Sequence, residues 1–270
     1  MATRRAPERA ARAAPAESKR PWWLISVGLA AALGIAIATL PARFLAGQLP
    51  RAGLGAVELS GSVWNGFARG LTWRSAPLGD LRWSLAPSQL LRGRVAADLR
   101  LTRPDGDLTT RASVSLNGTL RLTDARVNLP VELLSTLPLG VPRNWRGRLA
   151  GQFAEVTVRK GWPSSVRGTL EMDGLIAPPP RNISIGSYRI EMPDPQSAGT
   201  PAGQLSARVA DKEGPFSFEG RFTLGADRSF LLEGSLAPRG ATPPALERSL
   251  QLLGPPDANG RRPVSVSGTL

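Results

Sequence analysis

From about Val57 onward the chain alternates apolar and polar residues with a period of two, the spacing of a half-buried β-strand. Val57, Leu59 and Val63 alternate with Glu58, Ser60 and Ser62; Leu81, Trp83 and Leu85 alternate with Asp80, Arg82 and Ser84. Leu99 and Leu101 lie between Asp98, Arg100 and Thr102, and Val114 and Leu116 between Ser113, Ser115 and Asn117. The pattern returns at 147–158, 165–173, 204–211, 216–224, 229–236 and 264–270, about ten to fourteen runs in all. One dry and one wet face per run fits an antiparallel system. Turn signals stand between the runs at Pro104-Asp105-Gly106, Lys160-Gly161, Pro193-Asp194-Pro195, Gly225-Ala226-Asp227 and Asn259-Gly260. The 25 prolines leave little room for long helices in this region. Short helical pieces are expected at 87–91, at 130–137 with Pro130 in the first helical position, and at 242–254.

A loose Gly-x-Leu or Gly-x-Phe recurrence begins at Gly118, Gly147, Gly168, Gly220, Gly234 and Gly268. Its spacing is irregular, so it is no solenoid repeat. Either the strands share one vocabulary, or glycines inside strands mark bulges that bend the sheet. Bending of that kind would curl an open antiparallel sheet into a trough. The fold class expected is therefore mainly β: a large, strongly curved antiparallel sheet, as an open trough, a sandwich or a barrel, with few short helices.

Ahead of the strands, Trp22 to Leu40 form nineteen positions without a charge. As a helix they span roughly 28 Å, close to the hydrocarbon thickness of a bilayer. Trp22 and Trp23 stand where indoles favour the interface. Arg4, Arg5, Arg9, Arg12, Lys19 and Arg20 precede them, against Glu8 and Glu17. Positive charge on this side places the N-terminus in the cytoplasm. A cleavable signal ending at Ala36-Ile37-Ala38 is the rival reading, but the apolar run and the basic tail are both long for one. The expected organisation is a cytoplasmic tail (1–21), a transmembrane helix (22–40), a linker (41–56) and a β-rich domain outside the cytoplasm (57–270).

Composition removes most chemistry. The chain has no histidine and no cysteine, which eliminates the usual neutral-pH base, thiol nucleophiles and the commonest zinc ligands. Lys19, Lys160 and Lys212 are its only lysines, and none follows a phosphate-binding glycine loop. Gly53 and Gly55 begin a dinucleotide pattern that Glu58 breaks. Asp105 and Asp107 flank Gly106, yet the remaining ligands of a calcium loop are missing, and a hairpin turn is expected. No catalytic, cofactor-binding or metal-ligating residue is assigned. The net charge of +13 is carried mainly by arginine. Arg82, Arg94, Arg100, Arg111, Arg121 and Arg126 alternate with apolar residues, as on the solvated face of a sheet, and no basic–aromatic platform for nucleic acid forms. Trp64, Trp73, Trp83, Trp145 and Trp162 are read as core, with a partner-facing hot spot as the other reading.

The order of motifs carries a resemblance. After the basic tail and apolar span come GSVWNG at 61–66, LTWR at 71–74 and LRWSLAPSQLLRG at 81–93. GRLAGQF at 147–153 leads into GWPSSVRGTLEMDG at 161–174, and FSFEGRFTLGADRSFLLEGSLAPRG at 216–240 into LERSLQLLGPPDANGRRPVSVSGTL at 246–270. In this order the chain resembles the N protein family of the bacterial type II secretion system, general secretion protein N, over essentially its whole length and with a helix-plus-hairpin ending. The resemblance implies a non-enzymatic, single-pass accessory component of the inner membrane with its domain in the periplasm. Its implied partners are the inner-membrane platform proteins or the outer-membrane secretin, with no cofactor, small-molecule substrate or nucleic acid. A pseudopilin is disfavoured, because no Gly-Phe junction precedes the apolar run and no glutamate opens it. The alternative function is a membrane-anchored β-trough that binds or conducts lipid.

Overall fold

Strands with one dry face need neighbours on both sides, and here the neighbour is almost always the next strand in the chain. The computed structural model describes residues 39–47, 49–74, 76–136, 144–179, 182–193, 203–239 and 254–269. The chain divides into two units, Met1–Thr39 and Leu40–Leu270, and all the strands belong to the second. Residues 22–38 of the expected membrane span lie outside the described residues, as do 242–253 of the expected last helix. Among the described residues, no helix is long and apolar enough to cross a membrane.

The strands are β1 (Leu54–Gly55), β2 (Glu58–Gly61), β3 (Asn65–Trp73), β4 (Ala76–Leu85), β5 (Arg94–Arg103), β6 (Gly106–Ser115) and β7 (Leu120–Pro130). They continue as β8 (Arg146–Arg159), β9 (Trp162–Ile176), β10 (Ser184–Met192), β11 (Leu205–Glu213), β12 (Phe216–Leu224), β13 (Ser229–Pro238) and β14 (Arg262–Thr269). From β3 each strand pairs antiparallel with its successor to β14, while β1 and β2 both pair β3. This is one open 14-stranded meander. A sandwich is thereby set aside, because all the strands belong to one hydrogen-bonded sheet, and so is a barrel, because the sheet is not closed.

Several expected turns close hairpins. Pro104 and Asp105 join β5 to β6, and Lys160 and Gly161, at φ 51° and 75°, join β8 to β9 in the left-handed conformation a two-residue hairpin favours. Gly225 to Arg228 joins β12 to β13, with Asp227 Oδ1 accepting from Ser229 N–H (3.1 Å) and Oγ (2.6 Å). The Asn259-Gly260 turn differs from the expected hairpin. It is closed locally by Asp257 and Arg261 and leads into β14, whose partner β13 ended at Pro238.

The short helical pieces are 3-10 in character. Pro87–Arg92 stops at Gly93, which takes the left-handed conformation (φ 67°). The second piece is Val131–Thr136; Pro130 ends β7, opposite Arg148, and does not open a helix. The stretch 41–56 also carries structure: a helical turn at Arg43–Ala46, a 3-10 turn at Pro50–Ala52, and β1. Ala42, 1% exposed, packs there with Ala68, Leu71 and Trp83. A second cluster forms where the 3-10 turn brings Val131 onto Leu149 and Leu175. Among the described residues, no large side chain is fully buried elsewhere or in these clusters.

Of the six recurrent glycines, Gly147 lies at a register shift and Gly118 in a turn. The others make room for aromatic rings. Phe153 lies over Gly151 and Gly168, Phe218 over Gly220 and Gly234, and Phe230 over Gly268, in each case where a Cβ would touch the ring.

Candidate functional site

Pairing register sets one residue of each strand beside one of the next, and the rows this makes reveal two opposite surfaces. On one face Leu59, Ala68, Leu81, Leu101, Leu108 and Val127 stand side by side. The row continues through Gly151, Leu170, Ile190, Val209, Gly220, Gly234 and Val264. Thirteen strands spaced by about 4.8 Å make about 58 Å of contour. No residue in the row is charged. Leu101, Leu108, Val127, Leu170, Ile190 and Val209 are half-buried. Charged side chains that alternate onto this face, among them Arg103, Asp211 and Arg262, sit near strand ends and have local partners. Arg103 binds Asp105 (2.6 and 3.0 Å) and the Pro77 carbonyl. The Asp211 carboxylate accepts from Phe218 N–H (2.8 Å) and pairs with Arg239 (2.7 Å), while Arg262 donates to the Gly254 carbonyl.

The opposite face is wet. Its central row runs Phe67, Arg82, Arg100, Thr109, Arg126 and Gln152, then Thr169, Glu191, Arg208, Arg221, Glu233 and Ser265. A hollow of about 610 Å³ opens on it, lined in part by Phe67, Arg82, Asp98, Arg100, Thr109 and Arg111. Its groups satisfy one another rather than converge on a reacting point: Arg111 Nε donates to Asp98 (2.8 Å), and the Arg82 guanidinium stacks on Phe67 (5.7 Å). Arg82, Arg94, Arg100, Arg111, Arg121 and Arg126 are all exposed, as alternation predicts.

The tightest charge cluster ties β9, β10 and β11 together. Glu171 accepts from Lys212 Nζ (2.7 Å) and from Arg189 Nε (3.0 Å) and Nη2 (2.6 Å), and Lys212 also reaches Asp173 (3.2 Å). Lys212, then Arg189, hold the Glu171 carboxyl below its ordinary value of 4.5. A carboxyl depressed in the folded state adds stability above its unfolded value and loses it as pH falls through the folded one. Acid unfolding curves should therefore show Glu171→Gln losing less stability than the parent chain between neutral pH and pH values below 4.5. The difference should be small and salt-sensitive, because the cluster is solvated.

Of the five tryptophans, Trp83 takes the core reading and the others are half-buried. Trp83 is 7% exposed and donates from Nε1 to the Val63 carbonyl (2.9 Å). Trp145 packs against the Val131 cluster, and Trp73 and Trp162 lie under Arg74 and Arg228. Trp64 is half-buried. Asp105 is engaged by Arg103 in a hairpin turn, and among the described residues no three acidic, histidine or cysteine side chains gather around a metal-sized space. What the sequence did not disclose is the ring-over-glycine packing; a glycine two residues from a phenylalanine at the same parity, as in Gly151/Phe153 and Phe218/Gly220, is the available signal.

Among the described residues no reaction centre is assembled, and relatedness is the stronger guide. A family model for protein N of the type II secretion system matches residues 52–265, from just before β1 well into β14. The chain belongs to the type II secretion system protein N family. It is 27% identical to the type II secretion system protein N of Vibrio cholerae serotype O1 over 238 residues, covering 86% of this chain and 91% of that protein. To the protein of the same name from Aeromonas hydrophila it is 27% identical over 248 residues, 90% of this chain and 96% of the relative. The Klebsiella pneumoniae protein N is 28% identical over 216 residues, 78% and 81% of the two chains. No solved structure matches the chain. The family match covers nearly the whole meander and, Ala42 apart, both buried clusters, and the chain is a component of type II secretion.

Proposed function

We propose that the chain is a non-enzymatic accessory component of the secretion apparatus, held in the inner membrane by Trp22 to Leu40. Its N-terminus is cytoplasmic and its β-domain periplasmic, where the domain contacts inner-membrane platform proteins or the secretin. The family match across the sheet carries this reading. The paired, solvated polar face supports it, since that surface suits contact better than catalysis. A single anchor keeps the domain at the membrane surface and raises its effective concentration towards other anchored subunits. Photo-crosslinking side chains at Arg82 and Arg100, in cells making the whole apparatus, should trap other secretion subunits. Crosslinks to none of them from either position would count against the reading.

The uncharged apolar row favours a second reading, in which the apolar face lines a trough for lipid acyl chains. Rings laid over glycines lower the relief of that face, which suits a flexible chain better than a knobbed protein surface. Native mass spectrometry of the detergent-extracted chain should then reveal bound phospholipid, and Leu170→Asp should reduce it; a lipid-free parent chain would remove this reading.

A further inference from the structure

The two edges of the sheet are finished differently. At the first edge β3 meets two short strands, and the chain itself covers the hairpin beyond them: Ala42 N–H donates to Gly61 O (3.0 Å), and Val63 N–H to Leu40 O (2.8 Å). Pro41 bridges Ser62, and Ala42 is 1% exposed. That edge is short, broken and covered, which are the usual protections against unwanted pairing. Among the described residues, the last edge has almost none of them. β14 pairs β13 from Arg262 to Thr269 without a register shift, and its outer side meets no backbone hydrogen bond among the described residues. Positions 263–269 read PVSVSGT, an uncharged, β-favouring stretch with one proline at its start.

We propose that this edge pairs antiparallel with the same strand of a second copy of the chain, joining two meanders into one sheet. An uncharged strand is best matched by another without charge, and the one that matches β14 in length and alternation is β14 itself. Val264, Val266 and Gly268 share the apolar face, and Ser265 and Ser267 the polar one. A twofold axis through position 265 or 266 pairs residues of equal parity, so apolar meets apolar and polar meets polar across the seam. It also sends the two Arg262 side chains to opposite ends of the seam, where like charges do not face each other. The apolar row of each copy then runs on into its partner's.

Because the chain lacks cysteine, single cysteines report the contact directly. At a twofold centre the two Cα atoms stand about 4.5–5.5 Å apart, within the range of about 4.4–6.8 Å that a disulfide spans. The full chain in native membranes, carrying Ser265→Cys or Val266→Cys, should form a disulfide-linked homodimer under mild oxidation at one of these positions. Leu59→Cys, at the covered edge, should give only background. Adding Val266→Lys to Ser265→Cys, or Ser267→Pro to Val266→Cys, should abolish crosslinking, while unchanged circular dichroism establishes that each variant is folded. The proposal is overturned if the extracted chain sediments as a monomer, if crosslinking at Leu59→Cys equals that in β14, or if the cysteines in β14 join only a different subunit.

Discussion

Replacing Trp83 by alanine is expected to cost the β-domain about 3–5 kcal/mol, the range for deleting a large buried aromatic side chain. The indole is 7% exposed, sits with Ala42, Ala68 and Leu71 in the first core, and donates to the Val63 carbonyl at 2.9 Å. Removing it opens a cavity and leaves that carbonyl without its side-chain donor. The glycine beneath makes a sharper test. A Cβ at Gly66 would overlap the indole, so Gly66→Ala should cost about 1–3 kcal/mol by overpacking. In the Trp83→Ala background the overlap is gone, and Gly66→Ala should be nearly neutral. Urea unfolding of the full chain in detergent, followed by circular dichroism, measures all four corners of this cycle. Additive costs would mean that the ring and the glycine are energetically independent.

Gly186→Ala should be comparably damaging, at about 2–5 kcal/mol, from adding left-handed backbone strain to steric overlap. Gly186 holds φ at 108° where β10 shifts register against both β9 and β11. A Cβ there would strike the Glu213 carbonyl and stand 2.8 Å from Gly214 Cα, both backbone groups that cannot swing aside. The same unfolding measurement checks it. Gly118→Ala, with open space around its Cβ, should suffer only the backbone penalty of its φ of 75° and so lose clearly less.

These effects also mark how far the amino-acid pattern reaches. Alternation at 80–85 and 98–102 identified β4 and β5 and which face each would wet, because parity along a strand is a local property; at 113–117 it overran β6, which ends at Ser115 and leaves Leu116 exposed in the following turn. It left the sheet's global form open, since sandwich, barrel and meander give each strand the same dry and wet faces. Pairing each strand with its successor settles the form, and that choice depends on contacts far apart in sequence, such as β7 with β8 across the Val131–Thr136 turn. Pro130 was misplaced for a related reason: the favourable first position of a helix and the last position of a strand look alike until Arg148 is known to lie opposite. The glycine recurrence left shared strand vocabulary and bends both open; Gly147 lies at a register shift, whereas Gly168, Gly220, Gly234 and Gly268 are spaces for rings on their own or the neighbouring strand. For the candidate site, the solvated arginine rows were legible from parity alone. The difference between the two sheet edges was not, because nothing within 263–269 reveals that Leu40 to Ala42 folds back over the other edge.

The central claim, a membrane-held component of secretion, is tested most directly in a host from which this chain alone has been deleted. Exported proteins that use the type II apparatus should accumulate in the periplasm. The full chain should restore their release, and the β-domain exported without Trp22 to Leu40 should not. Undiminished release in the deletion strain would contradict the claim.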